Sequence, residues 1–122
     1  MQCAHPSPPA ILLVDDDPAM LQILLCFMRK RRATIDIVAV ADGTHALDQL
    51  AQRLIPLLVT DYNLPGMSGV QLARFAKIQR PGTRVVLISG EALDTNISGI
   101  DYYLAKPFSL SDFQQIVDSV LR

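Results

Sequence analysis

The 122-residue sequence lacks tryptophan and contains only two cysteines, Cys3 and Cys26. Two cysteines form neither a disulfide framework nor a metal-ligand pattern, which is typical of a protein from a reducing compartment. The longest uninterrupted apolar run is Ile23–Met28, far shorter than the ~20 residues of a membrane-spanning helix. A basic segment followed by an apolar one, the mark of a secretory signal, is also missing. We therefore expect a cytoplasmic protein with no membrane partner.

The sequence also lacks an excess of either charge. The 11 Lys and Arg residues are balanced by 12 Asp and Glu residues, which gives a formal net charge of −1 at pH 7. This balance provides no general attraction for nucleic acid or for an anionic membrane surface, so we expect no direct nucleic acid binding. Half of the residues are apolar, which excludes a disordered chain and is enough for one domain with its own core.

Apolar runs that favour strands alternate along the chain with segments of helical periodicity. Strands are predicted over Ala10–Val14, Ile35–Val40, Pro56–Thr60, Arg84–Ile88 and Asp101–Ala105, and helices over Pro18–Arg31, Thr44–Arg53, Ser68–Gln79 and Ser109–Leu121. This alternation predicts an α/β fold with a single doubly wound parallel sheet of five strands, covered by helices on both faces. Residues 1–9 contain three prolines and are predicted to form a disordered tail before a domain over residues 10–122.

Several short polar motifs mark where helices begin. Asp17 before Pro18 is the pattern of an N-cap followed by proline at the first helical position. The pairs Ser68–Gln71 and Ser109–Asp112 have the spacing of capping boxes. Between the last two strands, residues 91–100 have room for at most about two helical turns. We therefore predict that the helix between these two strands, the fourth along the chain, is shortened or irregular.

Polar residues follow four of the five predicted strands, where ligands bind in parallel sheets of this kind. These residues are Asp15, Asp16, Asp17, Asp61, Ser89 and Lys106. Clustered carboxylates repel one another and need a cation, and a small set of oxygen ligands with room for water and phosphate suits Mg²⁺. A carboxylate beside a metal ion and a lysine is a plausible nucleophile toward a phosphoryl group. Asp17 alone is explained by its role as a helix cap.

Four segments in register resemble the receiver domain of two-component response regulators. They are Ile-Leu-Leu-Val-Asp-Asp-Asp (11–17), Leu-Val-Thr-Asp-Tyr-Asn-Leu-Pro-Gly-Met-Ser-Gly (58–69), Leu-Ile-Ser-Gly (87–90) and Tyr-Leu-Ala-Lys-Pro-Phe (103–108). The resemblance covers about residues 10–122 and implies a flavodoxin-like (βα)5 receiver fold with strand order 2-1-3-4-5. It implies a signalling phosphoacceptor rather than a metabolic enzyme. Such a domain accepts a phosphoryl group from a histidine kinase or a histidine phosphotransfer protein, catalyses its own phosphorylation and dephosphorylation, and signals by changing conformation.

The resemblance also implies a role for individual residues. Asp61 would be the phosphoacceptor, Ser89 and Lys106 would contact the phosphoryl group, and the bond between Lys106 and Pro107 would be cis. The implied Mg²⁺ ligands are Asp15, Asp16, Asp61 and the backbone carbonyl of Asn63.

Further implied roles concern the switch, the lifetime of the phosphoryl group and the partner. Ser89 and Tyr103 would form the conformational switch, although Tyr103 also fits ordinary half-buried packing. Asn63 and Glu91 would tune the lifetime of the aspartyl phosphate. The residues expected to contact the phosphodonor protein are Met20, Ile23 and Phe108. A wide core-facing side of the first helix explains its apolar residues equally well.

Two alternatives compete with a phosphoacceptor. A haloacid-dehalogenase-like phosphatase would use Asp15 in an Asp-x-Asp pattern, but Asp61 and the turn after it have no place in that family. A receiver that only docks to proteins would not need an intact site, and the intact residues argue against it: Asp15, Asp16, Asp61, Ser89 and Lys106. Because the shortened helix belongs to the face through which receivers dimerise, we expect a monomer or a weak dimer.

Overall fold

The computed structural model describes residues 8–31, 34–92 and 96–121, and these ranges contain a five-stranded parallel sheet. Its strands are β1 (Ala10–Val14), β2 (Asp36–Val40), β3 (Leu57–Asp61), β4 (Arg84–Ser89) and β5 (Tyr102–Ala105). They are arranged in the order β2-β1-β3-β4-β5, so the predicted fold class and strand order are confirmed. Outside this sheet, Asn63–Leu64 and Met67–Ser68 pair as a short antiparallel hairpin after β3.

Four helices accompany the sheet in the part of the chain that the structure describes. They are α1 (Pro18–Arg31), α2 (Gly43–Gln52), α3 (Gly69–Gln79) and α4 (Leu110–Val120). The predicted capping residues are confirmed: the Asp17 carboxylate accepts a hydrogen bond from the Ala19 N–H at 3.0 Å. Ser68 and Ser109 each form a complete capping box at the start of α3 and α4. These caps satisfy backbone N–H groups that have no partner inside a helix.

The sheet lies between two layers of helices. Leu24 of α1 and Phe113 of α4 pack with Ile11 and Leu13 on one face. Leu50 of α2 and Leu72 of α3 pack with Leu12 on the other face. Because both faces are covered, all five residues of β1 are buried, which explains why its sequence is apolar without alternation. Each buried leucine or isoleucine side chain stabilises the fold by roughly 1.5–3 kcal/mol.

The connection between β4 and β5 contains no helix among its described residues, 90–92 and 96–101. The predicted shortening of the helix between β4 and β5 is therefore confirmed for the described residues of this connection. Residues 93–95 lie outside the described residues. Asp101 anchors the end of the connection, since its N–H donates to the Val85 carbonyl at 3.0 Å. Its carboxylate accepts hydrogen bonds from the Val85 N–H and from Lys77 Nζ, both at 2.8 Å.

The described part of the chain begins at residue 8, close to β1. The carbonyl of Pro8 accepts hydrogen bonds from the Arg53 guanidinium, the shorter at 2.6 Å, and the same group pairs with Asp36 at 2.7 Å. Residues 1–7 of the predicted tail lie outside the described residues. Across the described ranges, the helices are too short and too polar for any of them to span a membrane.

Candidate functional site

Three carboxylates converge at the carboxyl ends of β1 and β3. Asp15 and Asp16 directly follow β1, and Asp61 is the last residue of β3. The strands β1 and β3 are neighbours in the sheet. One carboxylate oxygen from each residue lies within 4.8 Å of the others. Asp15 and Asp61 are only 2% and 7% exposed, whereas Asp16 is open to solvent. The fold therefore brings together three side chains that the sequence predicted to meet, in a cluster that can hold a divalent cation.

Asp15 is the most deeply buried member of the cluster. Burial raises the pKa of its carboxyl, and the charges of Asp61 and Asp16 act in the same direction, against the N–H of Asp17 and the ammonium of Lys106. Oδ1 accepts the Asp17 N–H at 2.9 Å, but Oδ2 is buried with no hydrogen-bond partner among the described residues. A buried carboxylate oxygen without a donor is costly, so a cation beside it would lower its free energy.

Lys106 provides the positive charge of this edge of the sheet. Its Nζ lies 2.9 Å from Oδ1 of Asp61. Burial lowers the pKa of the ammonium, but the hydrogen bond to Asp61 and the charges of Asp61, Asp15 and Asp17 outweigh it, so that the pKa lies above its ordinary value. The N–H of Lys106 donates to the Ser89 carbonyl at 2.8 Å, and its peptide bond to Pro107 is cis.

Ser89, Glu91 and Asn63 form a polar rim beside the carboxylates. The buried Ser89 Oγ accepts the Glu91 N–H at 2.9 Å and donates to the Glu91 carbonyl at 3.3 Å. The side chains of Asn63 and Glu91 meet across the rim, with Nδ2 of Asn63 at 3.5 Å from Oε1 of Glu91. Both of these side chains are exposed.

Gly69 fixes the backbone of Asp61, a role that the sequence analysis missed. A Cβ at this position would lie 2.2 Å from the carbonyl oxygen of Asp61 and 2.9 Å from Cδ1 of Leu87. The Gly69 N–H donates to the Tyr62 carbonyl at 2.7 Å, and the Tyr62 N–H donates to the Ile88 carbonyl at 2.8 Å. The available signal was the glycine at the start of α3, a position that other residues fill with better helix propensity.

Tyr103 lies half-buried on β5, opposite Leu87 of β4. Its hydroxyl accepts a hydrogen bond from the Ile97 N–H at 3.2 Å and donates to the Ile97 carbonyl at 3.5 Å. A cavity of about 210 Å³ lies beside the ring and is lined by Ser89 and Glu91 among others. The structure thus places the two predicted switch residues, Ser89 and Tyr103, on the same cavity.

The predicted docking residues lie in different surroundings. Ile23 is 50% exposed and lines a groove of about 400 Å³ between α1 and α4, which Phe27 and Leu110 also line. Met20 and Phe108 are half-buried and pack against the core cluster under α1 and α4 instead. Leu110 contributes to the groove because the first turn of α4 leaves its side chain exposed, which the helix pattern alone did not indicate.

Comparison with known proteins supports the same family over nearly the whole chain. Residues 11–118 match the family model of the response regulator receiver domain. The chain is 33% identical over 119 residues to the transcriptional activator protein PfeR of Pseudomonas aeruginosa, a match that covers 93% of this chain and 38% of PfeR. The curated relatives are longer, and the chain spans between about a quarter and about half of their length.

Solved structures that share the fold include one from Pseudomonas fluorescens and one from Thermotoga maritima. The signal receiver domain of an HD domain-containing protein from Pseudomonas fluorescens is 27% identical, with a TM-score of 0.83 over 99% of this chain and 91% of the other. Response regulator TrrA of Thermotoga maritima, solved in complex with Mg²⁺ and BeF, is 22% identical. Its TM-score is 0.81 over 92% of this chain and 98% of TrrA, and at this identity the likeness concerns the fold.

Proposed function

The chain belongs to the response regulator receiver family, and we propose that it accepts a phosphoryl group on Asp61 with the help of Mg²⁺. The donor would be a histidine kinase or a histidine phosphotransfer protein, and the response would be a change of conformation beside Ser89 and Tyr103. One observation carries the proposal: three carboxylates converge within 4.8 Å, and one of them contacts an ammonium group at 2.9 Å.

The residues present suit Mg²⁺. The donor set consists of oxygens from Asp15, Asp16 and Asp61, and Oδ2 of Asp15 is a buried acceptor without a donor among the described residues. The backbone carbonyl of Asn63 would complete the protein ligands. When bound there, Mg²⁺ would neutralise the carboxylates and the negative charge of phosphoryl oxygens.

The protein side of the transfer follows from the positions of three residues. A carboxylate oxygen of Asp61 forms a bond to phosphorus as the bond between phosphorus and the imidazole nitrogen of the donor breaks, and that nitrogen keeps the electron pair. Lys106, which pairs with Asp61 in the free protein, stabilises the charge on the phosphoryl oxygens. The hydroxyl of Ser89 donates to a phosphoryl oxygen in place of the Glu91 carbonyl that it contacts here.

The assignment is tested by phosphorylation with acetyl phosphate, with Mg²⁺ or with a chelator, followed by mass spectrometry of the intact protein and mapping of the modified residue. We expect one phosphoryl group, on Asp61, only when Mg²⁺ is present. Asp61→Asn should remain unmodified, whereas Asp48→Asn, at an exposed position on α2, should be modified like the wild type. Phosphate on Asp15 would instead support the phosphatase alternative.

Asp16 tests the metal site separately from the phosphoacceptor. Because Asp16 is exposed and belongs to a cluster of like charges, Asp16→Asn should keep the fold and relieve repulsion. It should nevertheless lose phosphorylation by acetyl phosphate, since it removes one of the Mg²⁺ ligands. Normal phosphorylation of this variant, with thermal unfolding as a check of the fold, would show that Asp16 does not belong to the metal site.

We also propose that the phosphodonor protein contacts the groove between α1 and α4, supported by the 50% exposure of Ile23. Ile23→Asp should slow transfer from a purified histidine kinase and leave phosphorylation by acetyl phosphate unchanged. Ile78→Asp is the matched control, because Ile78 is 82% exposed on α3. Equal transfer to both variants would place the contact elsewhere.

The proposed role of the domain is signalling in the cytoplasm, and its output passes through protein contacts. PfeR is named a transcriptional activator, but this domain has a net charge of −1, which does not favour direct contact with nucleic acid. A gel-shift titration of the phosphorylated domain with random duplex DNA should show no binding at physiological salt. Binding that weakens as salt is raised would contradict this part of the proposal.

A further inference from the structure

We propose that Thr60 is a positioning residue, whose hydroxyl fixes the peptide group after Asp61 and thereby orients the Asp61 carboxylate for phosphoryl transfer. The inference rests on the proposed function of Asp61, to which it adds the residue that precedes it on β3. Two observations carry it. The Thr60 Oγ donates a hydrogen bond to the Asp61 carbonyl at 2.9 Å. Gly69 packs against the same carbonyl, because a Cβ there would lie 2.2 Å from its oxygen.

Thr60 is a polar residue at a place that suits an apolar one. It is fully buried, follows three apolar residues of β3, and lies opposite Val14 of β1 and Leu87 of β4. A valine would differ mainly by a methyl group in place of the hydroxyl, and it would fill this position without burying a polar group. Since a buried hydroxyl without a partner is costly, the hydroxyl of Thr60 contributes here through the hydrogen bond that it donates.

The peptide group between Asp61 and Tyr62 is held at both of its polar atoms. Its carbonyl accepts from Thr60, and its N–H donates to the Ile88 carbonyl at 2.8 Å. The next carbonyl, that of Tyr62, accepts the Gly69 N–H at 2.7 Å. A peptide group is planar and includes the Cα of the residue before it. A fixed peptide group therefore holds the Cα of Asp61, from which the carboxylate extends.

The position of the Asp61 carboxylate affects how fast it reacts. Its oxygen has to face phosphorus in line with the nitrogen that leaves, and a misplacement of about 1 Å can lower such a rate roughly 100-fold. A shifted carboxylate would also weaken its contact with Lys106 Nζ, which lies 2.9 Å from Oδ1. Because the Thr60 hydroxyl bonds to the backbone carbonyl of Asp61, it acts on the reaction through the position of that residue.

The test compares rates of phosphorylation at a fixed concentration of acetyl phosphate and saturating Mg²⁺. Thr60→Val should be slower than the wild type by roughly two- to tenfold, the range that corresponds to the net loss of one hydrogen bond. Thr60→Ser keeps the hydroxyl and should restore most of the rate. Thr83→Val is the matched control, because Thr83 is also buried and its Oγ donates to the Ile55 carbonyl at 2.7 Å, before the amino end of β4. It loses the same kind of hydrogen bond and should keep the wild-type rate.

Thr60→Ala gives a second comparison, because it differs from Thr60→Ser by the hydroxyl alone, and it should be slowed like Thr60→Val. Urea unfolding confirms that each variant is folded. A wild-type rate in Thr60→Val, or a Thr60→Ser variant as slow as Thr60→Ala, would overturn the proposal.

A measurement on the free protein separates this proposal from the proposed function. Hydrogen exchange of the Tyr62 amide should be several-fold faster in Thr60→Val than in the wild type or Thr83→Val, since its peptide group has lost one of its two hydrogen bonds. Unchanged exchange of this amide would overturn the role of Thr60. If the wild type itself is not phosphorylated, the proposed function fails, while the exchange result still decides whether Thr60 fixes the peptide group after Asp61.

Discussion

The ammonium of Lys106 lies 2.9 Å from Oδ1 of Asp61, at the edge of the sheet where Asp15 and Asp16 add two further carboxylates. The ammonium of Lys106 therefore lies next to a cluster of three carboxylates. The hydrogen bond to Asp61 and the charges of Asp61, Asp15 and Asp17 raise the pKa of Lys106 even though burial acts to lower it. A divalent cation and Lys106 compete for the same negative charge.

This competition predicts opposite effects of Lys106→Met on two measurements. Mg²⁺ should bind the free variant roughly tenfold more tightly, because a unit charge a few ångströms away contributes about 1–4 kcal/mol. Phosphorylation by acetyl phosphate should nevertheless be strongly slowed, since the ammonium that we propose stabilises the phosphoryl oxygens is gone. Lys77→Met is the control, because Lys77 pairs with Asp101 instead. Unchanged Mg²⁺ affinity would show that Lys106 does not influence the cluster.

Gly69 gives a prediction about the position of Asp61. Gly69→Ala places a Cβ 2.2 Å from the Asp61 carbonyl oxygen, so the backbone of Asp61 has to move. We expect the free energy of unfolding, measured in urea, to fall by about 1–3 kcal/mol, as for other overpacked sites. Phosphorylation of Asp61 should slow as well.

Gly82→Ala is the matched control for this change, because a Cβ at Gly82 meets nothing within 4 Å. Equal stability and equal phosphorylation of the two alanine variants would mean that the loop after β3 adapts without moving Asp61.

The elements of the fold could be predicted because their signals are local. The apolar run Ala10–Val14 and the capping box at Ser68 depend on neighbouring residues only, and both are confirmed. The convergence of Asp15 and Asp61 was also predictable, since neighbouring parallel strands end at the same edge of a sheet.

Contacts that depend on tertiary placement could not be predicted. The hydrogen bonds between Tyr103 and Ile97 arise because a segment without helix passes the end of the tyrosine side chain. Gly69 is required because a Cβ there would collide with the Asp61 carbonyl and with Leu87 Cδ1. Phe108 stays a docking residue predicted from the resemblance, and its ring packs on Phe113 with 6.2 Å between the centroids, a contact that the sequence pattern does not show.

Asp101 predicts a pH-dependent contribution to stability. Burial alone would raise the pKa of its carboxyl, but the hydrogen bonds from Lys77 and the Val85 N–H and the charges of Lys77 and Arg84 hold it below its ordinary value. A group with a lowered pKa in the folded state stabilises the protein above its unfolded pKa of 3.8, and this contribution is lost as pH falls through the folded pKa.

Asp101→Asn should therefore lower the free energy of unfolding at neutral pH by about 1–3 kcal/mol. The difference from the wild type should shrink as the pH falls below the unfolded pKa of 3.8, which urea unfolding at several pH values measures. Asp48→Asn on α2 serves as the exposed control. A difference that does not change with pH would show that the charge of Asp101 contributes little.

Glu91 predicts an effect on the lifetime of the aspartyl phosphate. Its carboxylate lies 3.5 Å from the Asn63 amide nitrogen, and both side chains are exposed. Glu91→Leu should slow hydrolysis, since it replaces a polar group that admits water with an apolar one, and Mg²⁺ affinity should stay the same. The decay is followed by mass spectrometry after the phosphodonor is removed. Unchanged decay across several substitutions at Asn63 and Glu91 would contradict this role.

The structure of the segment between β4 and β5 leads to a prediction about dimerisation of the phosphorylated domain. Gly99 has a φ of 91°, a left-handed conformation that ends helices, and the described residues 96–101 contain no helix. A helical dimerisation surface is therefore incomplete at this position, and the BeF₃⁻-bound protein should sediment as a monomer or a weak dimer across a concentration series. The exposed groove at Ile23 would remain the surface for partner proteins. The contradicting result would be a tight dimer that is disrupted by substitutions at residues 96–104 but not by Ile23→Asp. It would show that the domain dimerises through this segment.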